Sequence, residues 1–343
     1  MSRGETTGHR WLQGALLGGS GAALAAFLYT AYLERMWIRL DRYTVRIGKC
    51  GLPPEGITLL HLSDFHMRAG GRVQARKIAN LRRILAHEQY DLALLTGDLI
   101  HDAEGFPAAL AAIADLHPRL GGYACPGNHD YMEYSVWGMF GEADQAGDPA
   151  SRSGIGALPV MARNVWDFGR KVLRNELVRL PVTPNDVPAM NSELQARGIT
   201  PLINRAVRVQ DAGLDIWLAG IDDPMEGRPD LRAALADVPE GAPLVLLAHN
   251  PDVWLEAEAQ RADLILAGHT HGGQIRLPLV GAMHTQGTHL TRRRPAGWFN
   301  RGNSRMFVSR GIGESIPLRF GVPPQVALIR LMPAAPGMQE SGR

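Results

Sequence analysis

At 343 residues, with 45% hydrophobic and 20% charged residues, the chain is long enough to bury the core of one large domain or two small ones, and its balance is that of a globular protein. A formal net charge of +2 selects no polyanionic partner, so nucleic acid is not expected. The two cysteines, Cys50 and Cys125, are too few for a disulfide framework, and Cys125, set among apolar residues, reads as a small core residue.

After a ten-residue tail, residues 11–33 carry no charge and are long enough to span the hydrocarbon core as a helix. Trp11, Tyr29 and Tyr32 lie near its ends, where interfacial aromatics gather. A cleaved signal peptide is the alternative, but the apolar run is long for one and Leu33-Glu34-Arg35 is a poor cleavage site, so the segment is read as an uncleaved, single-pass anchor. Arg3 and Arg10 precede it, whereas Arg35, Arg39, Arg42, Arg46 and Lys49 follow, which by the positive-inside rule puts the C-terminal domain in the cytoplasm. Those following charges alternate with apolar residues, so the exposed face of a strand is an equally simple origin for them. Residues 34–56 are taken as a linker and first strand.

From residue 56 short apolar runs recur at 57–62, 92–95, 244–247 and 264–267, each ending in a polar cluster, as buried strands do when both sheet faces are covered. Between two of them, residues 73–87 place Ile78, Leu81 and Leu85 on one helical face. Strand, helix, strand predicts an α/β fold, with further strands near Trp217 and at 306–308 and 326–331 and no internal repeat. The domain is bounded at 57–332, leaving 333–343 as a flexible tail. Residues 135–187 break the rhythm as an insertion. Within it a helix is expected over 160–180, with Met161, Val165, Phe168 and Val172 on one face and Arg163, Arg170 and Arg174 on the other. Such a helix can lie on an anionic membrane, although packing on the domain is the commoner role. Because the insertion starts directly after His129 and Asp130, a lid or membrane-contacting arm is expected, with a plain surface elaboration as the alternative.

Five polar clusters follow apolar runs: Asp64-Phe65-His66, Gly97-Asp98, Gly127-Asn128-His129-Asp130, His249-Asn250 and Gly268-His269-Thr270-His271. Ligands of α/β sheets gather at that strand edge. Carboxylates, imidazoles and one amide oxygen, without a thiolate set, suit borderline and harder divalent ions. Eight such groups are too many for one ion with an open position but suit two ions that share a carboxylate, the arrangement that clamps both oxygens of a phosphoryl displacement. Singly, His249 reads as a core histidine and Asp98 as a turn carboxylate; only the set overturns those readings.

In order and spacing these motifs resemble the calcineurin-like metallophosphoesterases, over roughly residues 56–331. The resemblance implies a four-layer α/β/β/α sandwich and a metal-dependent phosphoric ester or diphosphate hydrolase. It also implies a binuclear centre of two divalent ions, manganese first, with iron, zinc or cobalt as alternatives. Asp64, His66 and His271 are implied as ligands of the first ion, and Asn128, His249 and His269 of the second. Asp98 is implied as the bridge, and His129 as the catalytic proton donor to the leaving oxygen. Some members orient that histidine with an Asp three residues after the bridging one. Here that position is His101, followed by Asp102, which leaves Asp102 and Asp130 both open for the role. The string Gly268 to Gln274 with Ile275-Arg276-Leu277-Pro278, the tail at 308–313 and 317–320, and the N-terminal run resemble a bacterial membrane-associated branch. That branch includes enzymes that cleave the diphosphate of UDP-2,3-diacylglucosamine in lipid A synthesis, and phosphodiesterases. The resemblance thus implies a phosphate-containing, lipid-linked substrate at the bacterial inner membrane. Soluble nucleotides or small phosphate esters are the alternative, and a non-catalytic scaffold a second one. Relatives with a twin-arginine export signal differ, since the corresponding residues here are His9-Arg10-Trp11-Leu12.

Overall fold

The apolar runs become the strands of two stacked sheets. In the computed structural model, which describes residues 25–135, 170 and 180–334, the first sheet contains β1 (Arg39–Ile47), β2 (Ile57–Leu62), β3 (Leu92–Thr96), β4 (Gly122–Cys125), β7 (Ile199–Pro201) and β16 (Gln325–Pro333), in the order β1-β16-β2-β3-β4-β7. The second contains β8 (Arg205–Asp211), β9 (Leu214–Gly220), β10 (Leu244–Leu247), β11 (Leu264–Ala267), β14 (Gly297–Arg301) and β15 (Ser304–Val308), in the order β14-β15-β11-β10-β9-β8. The central strands β2-β3-β4-β7 and β9-β10-β11-β15 run parallel, so each sheet delivers several strand C-termini to one edge.

Side-chain alternation along each strand builds the layers. Leu60, Leu62, Ala93 and Leu95 point outward and pack with Ile78 and Leu81 of α1 (Arg72–Leu85), with Ala109 and Ala112 of α2 (Phe106–Ile113), and with Met190 and Leu194 of α4 (Val187–Ala196). Their neighbours Leu59, Leu92 and Leu94 point inward, onto Ile216, Leu218, Val245, Leu247, Leu264 and Phe307 of the second sheet. On the far side Leu244, Leu246, Ile265 and Met306 meet Leu231 of the short α5 (Leu231–Ala234), Leu235 and Val253. Each fully buried leucine contributes roughly 1.5–3 kcal/mol of transfer free energy, which is why these strands read as continuous apolar runs. The outer layer over the second sheet consists of α5 and 3-10 turns at Pro251–Leu255 and Glu258–Arg261.

The alternating charges after the N-terminal run have a structural origin. Arg42 and Arg46 lie on the exposed face of β1 while Val45 and Ile47 are buried. Residues 25–28 are helical and lead into turns at Tyr29–Leu33 and Glu34–Met36, but among the described residues no helix is long and apolar enough to cross a membrane. Residues 11–24 of the proposed anchor lie outside the described residues. So does most of the insertion, including the expected amphipathic helix except Arg170 and Leu180. Leu180, the last residue of the expected helical stretch, is a strand residue instead and opens β6 (Leu180–Pro184). β6 pairs antiparallel with β5 (Met132–Ser135), so the insertion leaves and rejoins the domain through a two-stranded ribbon directly after the turn α3 (Asn128–Tyr131).

Candidate metal centre

The eight predicted site residues converge at the shared strand edge, and none exposes more than 2% of its surface. Asp64 and His66 follow β2, Asp98 follows β3, Asn128 and His129 follow β4, His249 follows β10, and His269 and His271 follow β11. The strand-to-loop turns are tight enough to force Asp64, His66, Asp98, His269 and His271 to positive φ, between 43° and 70°. Such strained backbone in non-glycine residues clusters at functional sites. A Cβ on Gly127 would run into the Asp98 carboxylate and the His249 ring, and one on Gly268 into Ser63 and Asp64, so both positions need glycine for close approach.

Among the described residues, atoms able to hold a metal form three groups, each with members within 4.8 Å of one another: Asp64, His66, Asp98 and His271; Asp98, His249 and His269; and His66, His101 and His129. Asp98 joins the first two. Its Oδ2 lies 3.2 Å from His66 Nε2 and 3.2 Å from His249 Nε2, while its Oδ1 accepts the His129 N–H at 2.8 Å. His66 Nε2 and His271 Nε2 are 3.0 Å apart, and His269 Nδ1 and His249 Nε2 are 3.1 Å apart. Nitrogen pairs this close, all aimed inward, are geometry that a shared cation explains. The amide oxygen of Asn128 is buried in the same place with no hydrogen-bond donor, an orphan that a metal would satisfy.

Outer contacts hold these rings in orientation. His249 Nδ1 lies 2.8 Å from the Thr96 carbonyl and His269 Nε2 lies 3.2 Å from the Gln286 carbonyl, so in each ring one N–H is spent on backbone and the other nitrogen faces the site. The Asp64 carboxylate takes the Ser63 hydroxyl at 2.7 Å and the His269 N–H at 2.9 Å. Below it, Ile312 and Gly313 donate their N–H groups to the Ser63 and Asp64 carbonyls. Buried Arg319 in turn bonds the carbonyls of Arg310, Gly311, Gly313 and Val322.

Burial alone would raise every carboxylate here. It does raise Asp64, whereas His249, His129 and His66 together pull Asp98 well below the carboxylate range. Burial opposes the protonation of His249, yet the Asp98 charge and hydrogen bond push it up to about 10. A pocket negative enough to keep a proton on a buried imidazole is negative enough to attract a divalent cation in its place.

Three residues join the site that sequence reasoning did not place in it. His101 stacks on His129 with ring centroids 5.1 Å apart. Tyr134 of β5 meets the same ring edge-on at 4.8 Å, its hydroxyl donating to Glu226 at 2.6 Å. Asp223, three residues past the Gly220 that ends β9, is buried with Oδ2 unpartnered, and burial raises it to about 6. The signal for Asp223 was available, since an apolar run followed by Asp222-Asp223 repeats the pattern of the other clusters.

Residues 57–273 match the model of the calcineurin-like phosphoesterase family. The chain belongs to this family. It is a metal-dependent hydrolase, with an α/β phosphoesterase fold and a histidine–aspartate cluster able to hold metal. Among curated family relatives, the UDP-2,3-diacylglucosamine pyrophosphatase LpxG of Chlamydia muridarum is 25% identical over 91% of this chain and 94% of its own length. The phosphodiesterase YaeI of Escherichia coli is 26% identical over 91% and 94%. An uncharacterized metallophosphoesterase of Bacillus subtilis, YkuE, is 25% identical over 93% and 94%.

Proposed function

We propose that this phosphoesterase cleaves a phosphodiester or diphosphate bond in a lipid-linked substrate, with the diphosphate of an acylated sugar nucleotide such as UDP-2,3-diacylglucosamine as the leading case. Its N-terminal run anchors it in the membrane. The reading of a two-metal site is carried by Asp98, whose single Oδ2 stands 3.2 Å from a histidine of each ligand group. Asp64, His66 and His271 would hold one divalent ion and Asn128, His249 and His269 the other, with Asp98 between them. Ions bound there lower the pKa of an attacking water and neutralise charge on the phosphoryl oxygens.

The chain's own contribution is orientation and proton supply. Asp98 fixes the His129 backbone by accepting its N–H, and Asn185 Nδ2 donates to the His129 carbonyl at 3.0 Å. The imidazole itself is held between His101, His66 and Tyr134. So held, His129 delivers a proton to the leaving oxygen as the phosphorus–oxygen bond breaks.

The lipid-linked substrate is supported by the relation to LpxG, and phosphodiester cleavage in general by the similar relation to the phosphodiesterase YaeI, with soluble nucleotides or small phosphate esters as the second reading. Hydrolysis by the purified full-length protein separates them. UDP-2,3-diacylglucosamine, a cyclic nucleotide and bis-p-nitrophenyl phosphate are compared at equal concentration with manganese present. The first reading requires the acylated substrate to have the highest kcat/KM; a cyclic nucleotide turned over faster would overturn it.

A further inference from the structure

The hairpin that follows the metal loop presents apolar side chains that no part of the described domain covers. β12 (Arg276–Leu277) and β13 (Gly281–Ala282) pair antiparallel, and the turn joining them exposes Leu277, Leu279 and Val280. Leu279 is fully exposed and sits at φ 66°, in the left-handed region that a bulky side chain rarely occupies. The turn is held in this state by a braced base. Arg276 N–H donates to the Phe320 carbonyl at 2.8 Å, Met283 N–H to Ile275 at 2.8 Å, and the Arg292 guanidinium to the Ala282 and Met283 carbonyls at 2.8 and 2.6 Å. A leucine held in solvent at a strained φ adds nothing to the domain's own core, and such outliers persist where function requires them.

Two further observations say what covers it. Exposed guanidinium groups surround the base: Arg276 donates to the Arg293 carbonyl at 3.0 Å, and Arg294 lies over the Phe299 ring at 4.8 Å. The support of the hairpin is also the support of the N-terminal run. Within residues 319–322, Phe320 bonds Arg276, Arg319 N–H donates to the Thr30 carbonyl at 3.1 Å, and the Gly321 and Val322 N–H groups reach the Glu34 carboxylate at 3.0 and 2.6 Å. Tyr32, Leu33 and Trp37, on either side of Glu34, are themselves exposed.

We infer that the 277–280 turn is a second membrane contact, its apolar tip entering the headgroup layer of an anionic bilayer while Arg276, Arg293 and Arg294 meet lipid phosphates. The inference rests on the proposal that residues 11–33 are a membrane anchor. It goes further by fixing orientation: the hairpin starts five residues after His271 and Gly273 packs against Ala282, so seating the tip holds the metal edge close to the lipid surface where a lipid-linked phosphate stands.

The test uses the full chain with Cys50→Ser, since Cys50 is exposed and Cys125 buried, and with Leu279→Cys carrying a nitrobenzoxadiazole label. The protein is reconstituted into phosphatidylglycerol–phosphatidylcholine vesicles doped with spin-labelled lipid. A matched label at Ala212, in the exposed turn between β8 and β9 at the opposite strand edge, is the control. Quenching and a blue shift at position 279 but not at 212, both diminished by Arg293→Glu with Arg294→Glu, are expected. Protein that floats with the vesicles while position 279 stays unquenched overturns the hairpin contact and leaves the anchor standing. Protein that does not float overturns both. A label shielded from lipid and water alike in a dimeric species assigns the turn to a second copy of the chain and overturns the lipid contact.

Discussion

The carboxylate of Asp130 accepts the main-chain N–H of Asp98 at 2.9 Å. The same carboxylate takes the N–H groups of Leu99 at 2.7 Å, Ile100 at 3.4 Å and Gly127 at 2.9 Å. It therefore ties the loop after β3 to the loop after β4, and its oxygens are committed to backbone rather than to the His129 ring. Asp130→Asn replaces one acceptor oxygen with an amide that faces N–H donors in a fully buried site. The loss expected is about 1–3 kcal/mol, the cost of leaving buried donors unsatisfied. Thermal unfolding should show a lower Tm together with weaker metal retention. An unchanged Tm with turnover alone lost would return Asp130 to the role of orienting His129.

Legibility in the sequence followed burial. β2, β10 and β11 coincide with the apolar runs residue for residue because these central strands are covered on both faces. Edge strands carry no such run: β8 reads Arg205 to Asp211 with Val209 its one buried residue, and it pairs through Arg208 with Asp215 at 2.6 Å. Past Asp215 the run of β9 is unbroken from Ile216 to Ile221 and ends in Asp222-Asp223, so that pair was legible by the same pattern as the metal motifs. The metal motifs were visible because each is a local string at a strand end. Glu314 was not, because its meaning depends on Lys77, 237 positions away in the chain.

Asp98 also carries the metal prediction. Its Oδ2 faces imidazoles of both ligand groups, so Asp98→Asn puts a neutral amide where one shared negative charge stood. Turnover of bis-p-nitrophenyl phosphate should fall by orders of magnitude, and bound metal, measured by mass spectrometry, should fall with it. Chelation of the wild-type protein should reproduce the loss and added manganese reverse it. Full activity in the variant would remove Asp98 from the bridge.

A buried charge cluster links the N-terminal segment to the loop beneath Asp64. Glu314 pairs with Lys77, receives Arg35 Nε at 2.6 Å and lies 3.8 Å from Arg319 Nε. Glu314→Gln strands these cations in the interior, a loss of about 3–5 kcal/mol for a broken buried pair. Burial pushes the Glu314 carboxyl up, but Lys77, Arg35 and Arg319 outweigh it and hold the group below its ordinary 4.5. A depressed folded value means that the unfolded chain takes up the proton first. The stabilisation is therefore complete above pH 4.5 and fades as pH falls from there toward the folded value. The Tm gap between wild type and Glu314→Gln should be flat from neutral pH down to that point and then narrow. A gap that widens in acid would contradict the ion pairing.

His129 separates chemistry from assembly. Its N–H is held by Asp98 at 2.8 Å and its ring lies against His66, His101 and Tyr134, so the side chain is placed by packing on three sides. Removing the imidazole in His129→Ala leaves the six proposed ligands and Asp98 in place, so metal content should stay near that of the wild type. Turnover should drop roughly 10²–10⁴-fold, the usual contribution of a positioned general acid. The deficit must depend on the leaving group if the role is proton donation: a nitrophenolate or a phosphate departs with little help, whereas an alkoxide needs the proton. A series of diesters of graded leaving-group pKa should therefore give a steeper dependence in the variant than in the wild type. Parallel slopes would mean that His129 stabilises charge without donating a proton, and loss of metal would make it a ligand.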